Sequence, residues 1–105
     1  MIKNIARRME CLIPGGLSVR KAALIVKAVI CSNSYVIIEC KSKICTIRNV
    51  LELLSMGVEY GDIVDISACG EDAEETVMYI CKLLHEDIKN VFDPMHSVNL
   101  QTALA

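Results

Sequence analysis

Apolar and polar positions along this chain repeat with two periods. Short runs dense in β-branched residues, spaced for a half-buried sheet, predict strands over residues 8–13, 35–40, 43–47 and 63–68. A spacing of three and four predicts a helix over 19–32, with Val19, Ala22, Ala23, Val26, Val29 and Ile30 on its stripe. A second helix begins after Gly70 and carries Val77, Ile80, Cys81 and Leu84; Ile88 and Phe92 continue the stripe until Asp93-Pro94 ends it. A short helix over 50–56 lies between the third and fourth strands.

Local chemistry punctuates these segments. Pro14-Gly15-Gly16 stops the first strand, and Ser18 then stands at the N-cap of the first helix. Lys41-Ser42 makes a tight hairpin between the second and third strands, Asn49 caps the short helix, and Gly57 closes it. Tyr60-Gly61 turns into the fourth strand, and Glu71, Asp72, Glu74 and Glu75 favour a helix start after it. The order is βαββαβα. Short strands mixed with helices imply an α+β domain, an antiparallel sheet with helices on one face.

The chain has 105 residues, of which 53% are apolar and 4% aromatic, a size for one core rather than two. That apolar fraction excludes a disordered chain. The longest apolar stretch, 22–31, is interrupted by Lys27 and is too short to span a bilayer, and Glu10, Pro14 and the glycines break any signal-peptide pattern at the start. The net charge of −2 hides an asymmetry. Lys3, Arg7, Arg8, Arg20, Lys21 and Lys27 face only Glu10 in the first thirty residues, whereas acids dominate the remainder. A basic first third suits an acidic partner surface or a bound anion. The acidic remainder and the scarcity of aromatic rings argue against nucleic acid. Cys11, Cys31, Cys40, Cys45, Cys69 and Cys81 form no CxxC pair, so no metal site or other cofactor is expected; they are taken as reduced core thiols of a cytoplasmic protein.

The stretch Pro14-Gly15-Gly16-Leu17-Ser18-Val19-Arg20-Lys21-Ala22-Ala23 resembles the active-centre signature of HPr, the histidine-containing phosphocarrier family of the sugar phosphotransferase system. Residues 44–57, ending in Leu54-Ser55-Met56-Gly57, resemble its regulatory segment, and residues 61–72 its fourth strand and final helix start. The likeness covers about residues 8–88 and implies an open-faced β-sandwich, a four-stranded antiparallel sheet with three helices on one face. It also implies a domain over 1–88 and an extension over 89–105.

In that family a histidine accepts the phosphoryl group, and here Ser18 holds its place; Lys21 replaces the usual proline, while Arg20 matches the arginine that helps hold the phosphate. An imidazole forms a transferable phosphoramidate, whereas a serine hydroxyl without a base is a weak nucleophile whose ester is a poor donor. The regulatory serine found in many Gram-positive members is Asn49 here; the catabolite-repression homologues that lack the histidine keep that serine. The likeness leaves a docking face made by the first two helices, with Val50, Leu51 and Leu54 outward and Arg20, Lys21 and Lys27 at the rim. The expected activity is non-catalytic docking to a phosphotransferase-system enzyme or regulator with an acidic, apolar-centred surface. The alternative is a phosphocarrier that uses Ser18 or His96 as acceptor. Asp93-Pro94 also reads as a cap for a further helix over 95–103, a segment that either joins two copies or stays without fixed structure. His85 is taken as a surface residue.

Overall fold

The computed structural model describes residues 2–85. Within them lie β1 (Lys3–Glu10), α1 (Val19–Ile30), β2 (Ser34–Cys40), β3 (Lys43–Thr46), α2 (Val50–Leu54), β4 (Ile63–Gly70) and α3 (Ala73–His85). The strands form one antiparallel sheet in the order β1-β4-β2-β3. Val36, Ile38 and Cys40 of β2 and Val64, Ile66 and Ala68 of β4 point toward the helix layer. There they meet Ala22, Ile25, Val26 and Val29 of α1, Leu53 of α2, and Val77, Ile80, Leu83 and Leu84 of α3. The fold class and element order match the sequence reading.

The differences have physical causes. β1 starts at Lys3 and ends at Glu10 instead of covering 8–13. It is an edge strand held to β4 by its backbone, from Lys3 opposite Gly70 to Glu10 opposite Ile63, so charged side chains on it carry little hydrophobic signal. Cys11 and Leu12 have left the sheet: their N–H groups donate to Asp62 O at 2.8 Å and Leu84 O at 2.9 Å. The stripe of α1 is rotated. Ile25 and Ala28 are buried, whereas Val19, Ala23 and Ile30 are exposed. α2 stops at Leu54, although Met56 just beyond it is core.

Only Cys11, Cys40 and Cys45 are buried; Cys31 and Cys69 are exposed and Cys81 is partly buried, so the expectation of six core thiols is half right. Burial pushes the Cys40 and Cys45 thiols up, which keeps them uncharged inside the core. Exposed apolar side chains are found on the strands as well, at Tyr35, Ile44 and Ile63. The helix stripe beyond His85, the segment 95–103 and any contact between copies through it fall outside the described residues.

Two connections fix the layers. In the β2–β3 hairpin Lys41 and Ser42 both have positive φ (+52° and +66°), the turn whose twist matches the strands it joins. The Lys41 ammonium then reaches the loop before β4, donating to Gly57 O at 2.7 Å and pairing with Asp62 at 3.0 Å. At the other end, a Cβ at Gly70 would fall 2.2 Å from Asn33 O, so only glycine lets the α1–β2 turn close on β4. Asp72 secures that turn to the start of α3 by accepting from the Asn33 N–H at 3.1 Å and the Ser34 hydroxyl at 2.5 Å.

The Ser34 hydroxyl, helped by the Asn33 N–H and opposed by partial burial, holds the Asp72 carboxyl below the usual carboxylate range. A lowered carboxylate stabilises the fold above its ordinary pKa, and that contribution disappears as pH falls through the depressed value. Asp72→Ala is expected to lower stability by about 1 kcal/mol at neutral pH. Urea unfolding across a pH series should show the gap between variant and wild type closing once the medium is more acidic than the carboxylate range.

Candidate functional site: the paired starts of α1 and α2

The first turn of α1 is assembled by groups on both sides of it. Gly16, with φ +83°, passes so close to the loop after α2 that a Cβ would sit 2.6 Å from Val58 O. Leu17 N–H donates to that same carbonyl at 3.0 Å, and α1 packs against α2. Ser18 takes an extended conformation, and its Oγ accepts from the Lys21 N–H at 3.2 Å, the N-cap bond expected from the sequence. Asn49 does the same for α2: its Oδ1 accepts from Glu52 N–H at 2.8 Å while its Nδ2 donates to Glu52 Oε1 at 2.8 Å. That reciprocal pair, with Arg48 3.6 Å from Glu52, closes the start of the short helix.

Lys21 departs from the expectation. It is 5% exposed, and its ammonium donates to Leu83 O at 2.9 Å, so it does not stand on the rim of a docking face. The reason is geometric: α1 packs on α3, and the buried cation finds a backbone carbonyl there to bond. Leu12 N–H takes the adjacent Leu84 O. Spacing along α1 could not reveal this, because the partner lies 62 positions away in sequence.

The other residues divide between surface and core. Ser18, Arg20 and Asn49 are exposed, and Lys27 is partly buried in the last turn of α1. Leu51 is 80% exposed and Val19 65% exposed, whereas Val50 and Leu54 are partly buried and pack on the core together with Leu17 and Leu24. Of the three apolar residues expected to point outward from α2, one does so fully. The exposure of Val19 was missed, because a β-branched residue in a helical stripe reads as core. His85 is exposed at the end of α3, and His96 lies outside the described residues.

The arrangement therefore offers an exposed guanidinium in the first turn of a twelve-residue helix, with exposed valine and leucine side chains on the two packed helices. A family model described as the phosphotransferase-system HPr component phosphorylation site matches residues 5–86. The chain belongs to the HPr family. Solved HPr-family structures agree. An HPr from Bacillus anthracis superposes with a TM-score of 0.71 at 23% identity, covering 77% of this chain and 96% of that one. An HPr from Thermoanaerobacter tengcongensis gives 0.69 at 29% identity, over 76% and 90%. The catabolite-repression protein Crh of Bacillus subtilis, solved as a swapped dimer, gives 0.61 at 27% identity, over 82% and 95%. This HPr-family chain thus has the phosphocarrier fold, and no helix among its described residues is long and apolar enough to cross a membrane.

Substitutions at the site should separate structural from exposed groups. Lys21→Ala is expected to cost about 2 kcal/mol, since it leaves a buried carbonyl without its charged donor. Ser18→Ala should cost about 1 kcal/mol through loss of the cap. Arg20→Ala should stay within about 0.5 kcal/mol of wild type. Chemical unfolding midpoints at neutral pH measure all three.

Proposed function

We propose that this HPr-family chain is a non-catalytic docking or regulatory protein of the phosphotransferase system, working in the cytoplasm and recognising protein partners through α1 and α2. The observation that carries this reading is Ser18: the residue in the place of the family histidine is a hydroxyl whose oxygen accepts the capping bond of α1. An alcohol in that role lacks the ring nitrogen from which a phosphoryl group is passed on, and its ester is too stable to serve as a donor. Asn49 preserves the cap of α2 without a modifiable hydroxyl, so the second phosphorylation position is closed in the same way.

What survives at both positions is the shape that presents the surface. Arg20, in the first turn of α1, adds its charge to the positive end of the helix dipole, while Val19 and Leu51 supply apolar area. Such a face suits an acidic surface with an apolar centre, on a phosphotransferase-system enzyme or a regulator. Relay through Ser18 would require the cap oxygen to become a nucleophile, with no advantage over the imidazole it replaces. Relay through His96 would need that ring to reach the start of α1.

The double variant Arg20→Glu with Leu51→Glu tests the docking face. Both side chains are exposed, so stability should change by less than about 1 kcal/mol in total. Proteins from the source cells retained by immobilised wild-type chain should be lost by the variant. Equal retention by a variant with an unchanged unfolding midpoint contradicts the proposal.

A further inference from the structure

A second surface lies where α3 packs against β1. The two elements leave a groove of about 520 Å³ whose lining includes Arg7, Met9, Met78, Cys81, Lys82 and His85. Its floor is apolar, because Met78 is 60% exposed and Met9 and Cys81 are partly buried beside it. Burial also pushes the Cys81 thiol up, against the opposing pull of Arg7, so the floor carries no charge. The rim has one sign. Arg7 and Lys82 are exposed, and among the described residues no carboxylate lines the groove, in a chain whose net charge is −2. Arg8 also lines the groove, but its guanidinium is engaged by Asp65 through two bonds of 2.7 and 3.2 Å.

The groove runs along an unpartnered backbone. β1 is the end of the sheet, its inner side is paired with β4 over eight residues, and among the described residues no strand pairs with its outer side. Edge N–H and C=O groups beside a shaped apolar floor are what an added strand uses: backbone bonds give affinity, alternate side chains enter the groove, and the Arg7 guanidinium, which donates to Ala6 O at 3.0 Å, turns to the incoming carboxylate. A second copy of this chain is a poor occupant. Antiparallel pairing of the full strand with its symmetry mate sets Arg8 diagonally beside the other copy's Arg7 at the centre of the ribbon, where like charges repel, and leaves only the Lys3–Glu10 pairs at its two ends to offset this.

We infer that the β1 edge and the β1–α3 groove receive an extended acidic segment of another protein as a fifth strand. Side chains facing the helix layer recur every second residue, about 7 Å apart. The recognised pattern is therefore an apolar residue flanked two positions away on each side by carboxylates, the apolar group on Met78 and Cys81 and the carboxylates toward Arg7 and Lys82. Arg20 and Leu51 take no part, so this surface stands independently of docking through α1 and α2.

The test uses the full chain, isotopically labelled, and a short synthetic peptide with Glu, Leu and Glu at alternate positions separated by Thr. Amide shifts on titration should concentrate in Lys3–Glu10 of β1 and in the last two turns of α3. Arg7→Glu with Lys82→Glu should weaken binding roughly tenfold or more while the spectrum of the free variant stays that of the folded protein. A control peptide with Lys in place of Glu should bind far less. The inference is overturned by equal binding of the two peptides, by shifts centred on α1 and α2, by no shift at millimolar peptide, or by contacts in the free protein that place residues 86–105 in the groove.

Discussion

The start of α1 is held between two backbone carbonyls from different parts of the chain, and the geometry of the surface around it depends on that clamp. Leu17 N–H bonds Val58 O on the α2 side, and the buried Lys21 ammonium bonds Leu83 O at the end of α3. One contact sets α1 beside α2; the other sets it over α3. A charge buried at 5% exposure is expensive unless its donors are used, so the ammonium and the carbonyl are each costly to leave alone. The result places the first turn of α1 so that Arg20 and Val19 project to the surface. Under the proposed docking role, the same fold loses phosphoryl chemistry while its presentation of the surface stays the same.

Ser18 and Asn49 show how this can happen. Both positions open a helix, and both require a side-chain oxygen facing an N–H three residues on. Serine and asparagine meet that requirement fully. The groups that chemistry needs at these positions, an imidazole at one and a phosphorylatable hydroxyl at the other, are additional demands that the fold itself does not make. Membership of the HPr family and loss of its relay chemistry are thus compatible within one sequence.

Much of the architecture was legible because its signals are local. Ser18, Asn49 and the Lys41-Ser42 hairpin act within a few residues, and the β-branched runs of β2 and β4 are buried on one face. β1 was misplaced because an edge strand is held by backbone pairing while its side chains are charged. Its true extent follows from register with β4, which no local pattern encodes. Lys21 was misassigned for a related reason: lysine in a first turn reads as surface, and only the distant Leu83 carbonyl explains its burial. The roles of Lys41 and Asp72 as ties between loops were likewise invisible before the loops met. The β1–α3 groove depends on both elements, so its single-signed rim could not be read from either alone.

Under the proposed function the fold and its α1–α2 face are kept while the relay is absent. Incubating the full chain with the phosphotransferase system's Enzyme I and phosphoenolpyruvate, beside an active HPr as control, tests it most directly. Intact mass recorded under neutral conditions should show the control gaining one phosphoryl group and this chain unchanged. A phosphoryl adduct on this chain, acid-labile if mapped to His96 or acid-stable if mapped to Ser18, would contradict the account.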